Sequence, residues 1–241
     1  MQEPLLTGDL AELQRIVAKE FETRAADAMA RRGKFVIALP GGSVAPAFFP
    51  TLAAAAIDWS RTDVFWIDER AVPPDHPDSN YALASRLLLT PARVPVERIH
   101  RMQGELPDLG EAASRAADEL KSIAGYPPQL DLVIVGVGVD GHIASIFNVE
   151  RRWVGMSLAA AKREIPLVIP VYKSPKPPPR RLTMAFPVIA NADLVLIIAL
   201  GSEKAPVMRA ALDGSGTTPV AELLRFARSP LVLLDRAAAL S

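Results

Sequence analysis

The chain has 241 residues, half of them hydrophobic and 22% charged, which supplies a large core and excludes a disordered chain. Lysine plus arginine balances aspartate plus glutamate at 27 each, so no global charge draws the chain to nucleic acid or to an anionic membrane, and any anion must be met by a local cluster. Cysteine is absent, which removes disulfides and thiolate chemistry; with no apolar leader and no run of 18 apolar residues, a soluble cytoplasmic protein is expected.

Thr7-Gly8-Asp9 offers N-cap residues, and Leu10, Leu13, Val17, Phe21, Ala25, Ala28 and Met29 then recur at helical spacing until Gly33. A strand from Phe35 to Leu39 follows, then Pro40-Gly41-Gly42-Ser43 and a helical stretch from Pro46 to Ala56. Strand, glycine turn and helix start bring free N–H groups and the positive end of a helix dipole together, which makes a phosphate cradle. The same residues also make an ordinary turn. The next strand, Asp63 to Ile67, ends in Asp68-Glu69-Arg70. Three successive charges are not expected all to face the core, because unpaired buried charge is costly. Arg70 presents a planar donor fork suited to phosphate or carboxylate. Ser79-Asn80 caps a helix through Leu83, Leu87 and Leu88, while His76 and His100 fall in loops and read as exposed. A helix over Asp108 to Ile123 leads onward.

Leu132 to Val135 is an unbroken aliphatic run that suits a strand buried on both faces. It stops at Gly136-Val137-Gly138-Val139-Asp140-Gly141, and His142 follows. The spacing matches a dinucleotide fingerprint, but Asp140 would repel a pyrophosphate and no acidic residue ends the next strand. A titratable imidazole past a strand end instead suits acid–base work, or else a loop hydrogen bond. Val149 to Glu164 reads as weakly helical. Leu167 to Val171 and Leu182 to Ala185 read as strands around a proline-stiffened basic loop, Lys173 to Arg181. Ala192 to Leu200 is a further strand, ahead of Gly201-Ser202-Glu203-Lys204 and a helix to Leu212. Lys204 in a first helical turn opposes the dipole, a conflict that a bound anion resolves. A helix from Val220 to Ala227 and an edge strand from Leu231 to Leu234 close the chain. Six or so parallel strands alternating with helices predict an α/β, Rossmann-like doubly wound fold, with a mainly parallel sheet, helices on both faces and one domain over 1–241.

Five motifs then line up in order over about residues 35–205. They are Gly41-Gly42-Ser43; Asp68-Glu69-Arg70 with Ser79-Asn80-Tyr81; Gly136-x-Gly138-x-Asp140-Gly141-His142-x-Ala144-Ser145; Ser174-Pro175-Lys176-Pro177-Pro178 with Arg181-Leu182-Thr183; and Gly201-x-x-Lys204-Ala205. The set resembles the 6-phosphogluconolactonase family, within the superfamily shared with glucosamine-6-phosphate deaminase. The resemblance implies hydrolysis of 6-phosphoglucono-δ-lactone in the pentose phosphate pathway, without metal or cofactor. It makes His142 the general base, gives the phosphate to Gly41, Gly42, Ser43, Arg70, Arg181 and Lys204, and leaves Lys176 between phosphate and oxyanion. Asp68 and Asp140 orient neighbours or sugar hydroxyls. No nucleic-acid or membrane partner is implied, and a monomer or small homo-oligomer is expected. Val44 stands where the family pattern has threonine, and Asn148-Val149-Glu150 where it has Pro-Gly. A deaminase-like isomerase shares Asp140-Gly141-His142-Ile143-Ala144 but departs after it; a sugar-phosphate sensor without turnover is the alternative from another class.

Overall fold

The computed structural model describes residues 5–147 and 165–239, so the expected helical segment Val149 to Glu164 lies outside the described residues. The strands in chain order are β1 (Leu5–Gly8), β2 (Phe35–Leu39), β3 (Thr62–Trp66), β4 (Asp68–Arg70), β5 (Leu132–Gly136), β6 (Val168–Val171), β7 (Arg181–Met184), β8 (Val195–Ala199) and β9 (Pro230–Asp235). The helices are α1 (Leu10–Arg32), α2 (Val44–Ala53), α3 (Asn80–Ala84), α4 (Leu109–Ala124), α5 (Phe186–Ala190), α6 (Ala205–Leu212), α7 (Pro219–Phe226) and α8 (Arg236–Ala239).

Six strands form one parallel sheet in the order β1-β9-β8-β5-β2-β3. Alternate residues feed two separate cores. Phe35, Ile37, Leu132, Ile134 and Leu196 meet Phe21 of α1 and Phe48 and Phe49 of α2 on one face. Val36, Ala38, Val133, Val135 and Ile197 meet α4, α5, α6 and α7 on the other. Both faces are covered, which is why these strands read as continuous apolar runs. α1 begins where expected, with Asp9 and Glu12 forming a reciprocal capping box, and ends at Gly33 with φ 73°. From β2 the chain steps through α2 to β3, then returns past β2 to β5, so the strand order reverses between β2 and β5. In open α/β sheets ligands bind at the carboxyl ends of the strands beside such a reversal.

Three expectations are corrected. β9 is an interior strand, because β1, whose residues Leu5 to Thr7 are exposed and carry no buried pattern, pairs outside it. The runs at β6 and β7 do not join the parallel sheet. They form a separate antiparallel sheet in the order β4-β7-β6, and apolar content alone does not tell the two apart. The three charges after β3 do not all face the core, as expected: Arg70 is half-buried, while Asp68 and Glu69 are buried and matched by donors from other segments. The third correction is a histidine. His100 is also buried, between Asp63 and Glu119.

That last cluster ties α4 to β3. The His100 ring stacks on Phe65 with centroids 4.6 Å apart, and its nitrogens lie 2.7 Å from Glu119 Oε1 and 3.0 Å from Asp63 Oδ1. Arg98 adds a donor to Asp63 at 3.2 Å. Burial by itself would lower the imidazole pKa, but the hydrogen bonds and charges of Asp63 and Glu119 outweigh it and hold the value above 6.5. With the folded value above the unfolded one, the stabilisation is full below the unfolded pKa and is lost as pH rises through the folded pKa. The advantage of the wild type over His100→Gln in urea midpoint is therefore larger at about pH 6 than at about pH 9; a gap independent of pH contradicts this account.

Candidate active site

The carboxyl ends of the parallel strands open into one cavity of about 420 Å³. Its lining includes Gly41, Gly42, Ser43, Asp68, Arg70, His142, Lys176, Arg181 and Lys204. Of the residues expected to form the site only Asp140 is outside this lining, and its carboxylate touches His142. The cations brought together outnumber the carboxylates, so the cavity suits an anion.

Each contributor is fixed by local structure. After β2, Pro40 to Ser43 turn the chain into α2, whose Ser43 cap makes no side-chain hydrogen bond, leaving the first helical N–H groups and the Ser43 hydroxyl open. Gly41 is required by close approach: a Cβ there would lie 1.8 Å from the Asn80 carboxamide oxygen. That oxygen is buried and has no partner among the described residues. Asn80 Nδ2 donates to the Asp68 backbone oxygen at 2.9 Å and to its Oδ1 at 3.1 Å, while the Ser145 hydroxyl donates to Asp68 Oδ2 at 2.6 Å. Asp68 thus stays anchored at the cavity wall. Glu69 beneath it accepts from Ser79 Oγ and from the backbone N–H groups of Arg70, Asn80 and Tyr81. Burial still pushes its carboxyl pKa up, against those hydrogen bonds. Arg70 donates to the Asp78 carbonyl at 2.7 Å, and its Nε has no partner among the described residues.

The loop after β5 folds back on itself. Gly138 N donates to the His142 carbonyl and Gly141 N to the Gly138 carbonyl, both at 2.9 Å. The imidazole lies against Gly138, where a Cβ would come within 2.0 Å of Nδ1 and Cε1. Ala144 closes the loop at φ 49°, a left-handed value that costs a residue with a Cβ roughly 1–2 kcal/mol. His142 Nδ1 is 2.5 Å from Asp140 Oδ1, and the Lys176 ammonium is 3.5 Å from each of those atoms. A carboxylate only accepts, so Nδ1 carries the proton and Nε2 keeps a lone pair. Burial, foremost, and the charge of Lys176 lower the imidazole pKa below 6.5, and they prevail over the opposing Asp140 and Asp68. The ring rests against Phe147 at 4.6 Å. The imidazole is thus oriented in a cavity lined by the α2 start and by basic side chains.

Sequence reasoning named the His142 loop, the glycine turn and the basic residues. It missed Ser145 and Asn80 as hydrogen-bond partners of Asp68, although both stood inside quoted motifs; their partners are 77 and 12 residues away. Among the described residues no group of three or more acidic, histidine or cysteine side chains is placed to hold a metal, and no helix is long and apolar enough to cross a membrane.

The family profile described as glucosamine-6-phosphate isomerases/6-phosphogluconolactonase matches residues 8–230. The chain is 34% identical to the 6-phosphogluconolactonase of Mycobacterium tuberculosis over 88% of this chain and 87% of that one. It is 35% identical to that of Streptomyces coelicolor over 90% and 85%. Against two rice relatives identity is 33% over 87% of this chain, and the chain spans 65% of their length. Among solved structures, the 6-phosphogluconolactonase of Trypanosoma brucei superposes with TM-score 0.81 at 25% identity, covering 98% of this chain and 97% of that one. That of Thermotoga maritima gives 0.80 at 25%, covering 97% and 99%.

The opposed charges on His142 make a signed expectation for its imidazole titration followed by NMR. The wild-type midpoint lies below about 6.5. Asp140→Asn removes an anion and moves the midpoint lower, whereas Lys176→Met removes a cation and moves it higher. Shifts of the same sign in both variants contradict the arrangement.

Proposed function

The chain belongs to the glucosamine-6-phosphate isomerase/6-phosphogluconolactonase family, and within it we propose that this protein hydrolyses 6-phospho-D-glucono-1,5-lactone to 6-phospho-D-gluconate, the lactone step of the oxidative pentose phosphate pathway. The observation that carries this reading is His142, held at Nδ1 by Asp140 in a cavity that also gathers the α2 start, Arg70 and Lys204. The names of the bacterial and trypanosomal relatives favour the lactonase branch.

In the proposed mechanism the substrate phosphate sits on the Gly41-Gly42-Ser43 turn, where open N–H groups and the helix dipole face it, with Arg70 and Lys204 supplying charge. His142 Nε2 removes a proton from water as its oxygen bonds to the lactone carbonyl carbon. The carbonyl oxygen becomes an oxyanion, and the Lys176 ammonium offsets its charge. Asp140 stabilises the imidazolium formed in the same step. The oxyanion then collapses, the ester bond to the ring oxygen breaks, and imidazolium returns the proton to that oxygen. Water is consumed and the atoms balance without metal or cofactor. Asp68, with both oxygens anchored by Asn80 and Ser145, presents its remaining lone pairs to sugar hydroxyls.

The isomerase branch of the family also uses proton transfer at a sugar phosphate, so the fold alone does not separate the two. In this reading one lactonase domain, over 1–241, acts in the cytoplasm as a monomer or small homo-oligomer. The test is lactone turnover, with substrate generated enzymatically and product coupled to its dehydrogenase, measured over spontaneous hydrolysis. Wild type accelerates the reaction, and His142→Ala lowers kcat by about 10²–10⁴ while still binding 6-phosphogluconate. Ammonia release from glucosamine 6-phosphate without lactone turnover moves the protein to the isomerase branch.

A further inference from the structure

Arg181 lies among the basic residues of the proline loop, but its environment differs from theirs. Lys173 and Arg180 are exposed, whereas Arg181 is 4% exposed. A guanidinium carries five N–H donors. Nε donates to the Pro178 carbonyl at 3.0 Å, and Nη2 donates to the carbonyls of Pro177 at 2.9 Å and Lys176 at 3.3 Å. Nη1 reaches the Ser145 hydroxyl at 3.4 Å, which in turn holds Asp68, and Nη1 is 3.9 Å from Asp68 Oδ2. Four of the five N–H groups therefore have protein acceptors, and three of those acceptors are consecutive carbonyls in the loop that carries Lys176. The guanidinium also lies over Phe147 at 5.9 Å, the ring that backs His142.

We propose that Arg181 is a positioning residue: its fork clamps the carbonyls of Lys176, Pro177 and Pro178 so that the Lys176 ammonium stands against the His142–Asp140 pair, and it holds the loop rather than the substrate phosphate. This deepens the lactonase reading and rests on it only for the catalytic consequence. From the other side, Ser174 brackets the same loop, its hydroxyl donating to the Lys176 carbonyl at 2.9 Å and accepting the Lys176 N–H at 3.2 Å. The two brackets fix the backbone on either side of a flexible side chain. Ionisable groups facing His142 are Asp140 in its own loop, Lys176 from the clamped loop and Asp68 from β4. Lys176 is the only cation of the three, so its placement has a direct readout.

The test uses the whole chain and requires no turnover. With three histidines in the sequence, the His142 imidazole is identifiable by NMR through its loss in His142→Gln. Arg181→Lys keeps the charge but loses the planar fork. Released from its clamp, Lys176 moves off, and the His142 midpoint rises as it does in Lys176→Met, by up to roughly one pH unit. In the double variant the shift is no larger than in Lys176→Met alone. Inorganic phosphate affinity, read by ³¹P NMR, stays within about threefold of wild type. Arg181→Gln gives the same coupling and is the second variant should Arg181→Lys lose its thermal transition. An unmoved midpoint, additive shifts in the double variant, or about a tenfold loss of phosphate affinity overturns the proposal. If the coupling holds but the wild type turns over no lactone, the lactonase reading fails and the clamp stands.

Discussion

The site depends on how the chain changes sheets at Ile67. Its N–H donates to Leu39 of the parallel sheet at 2.9 Å, and its carbonyl accepts from Met184 of the antiparallel sheet at 2.7 Å. One residue thus satisfies a donor in one sheet and an acceptor in the other. The next two residues, Asp68 and Glu69, are carried into the interior at the seam. A buried carboxylate is tolerable only when its lone pairs are met, because desolvation penalises charge by several kcal/mol. The seam therefore recruits Ser79, Asn80, Tyr81, Ser145 and Arg181 from three other segments. Two of those segments, the one around Ser145 and the one that carries Arg181, also line the cavity. The hydrogen bonds that satisfy Asp68 at the seam therefore also fix its place in the cavity wall.

From that anchor the rest of the site is positioned by parallel-strand geometry. Strands that run the same way end at the same edge, so the loops after β2, β3, β5 and β8 meet without long excursions. The starting edge is fixed as firmly. The Asp131 carboxylate accepts from Val36 N at 2.9 Å and pairs with Arg32, tying the first residues of β2 to β5 and to the end of α1. Burial raises the Asp131 pKa against the pull of that N–H and of Arg32. With one end pinned, the register of β2 beside β5 decides how the glycine turn faces the histidine loop. Gly136 illustrates the tolerance: a Cβ there would stand 3.0 Å from Val44 of α2. The valine that departs from the family pattern packs directly against the histidine strand.

What the sequence made legible follows from the range of the interactions. α1 was readable because its capping box and its apolar stripe are local. The long strands were readable because burial on both faces leaves no polar positions. The separate antiparallel sheet was not, since pairing direction is decided by partners far along the chain. His100 looked like a loop histidine because its two acceptors lie 37 and 19 residues away. Which of Asp68, Glu69 and Arg70 turn inward was illegible for the same reason. Among the basic residues of the proline loop, charge was visible but direction was not: Lys173 and Arg180 face out, Lys176 is half-buried, and Arg181 is inside. Residue type named the site, while the role of each member depends on acceptors that only the fold brings near.

In the proposed reaction His142 is a base with a cation beside it. Burial and Lys176 lower the His142 pKa and Asp140 raises it, and the net direction is downward, toward the neutral ring. A neutral ring is ready to accept a proton, but the imidazolium that forms is then disfavoured by the same ammonium. Charge moves during the reaction, and that removes the conflict. In the proposed reaction, as the proton leaves water for Nε2, negative charge builds on the carbonyl oxygen, and the Lys176 ammonium, 3.5 Å from Nδ1, is the charge proposed to offset it. Lys176 repels the imidazolium less as it engages the oxyanion, while Asp140, fixed 2.5 Å from Nδ1, gains as positive charge develops on the ring. An ammonium on a flexible stem serves this only if the backbone beneath it is fixed, because a wandering cation would be as far from the oxyanion as from the ring. Rigid placement of the loop is therefore part of the electrostatics and not merely of the fold.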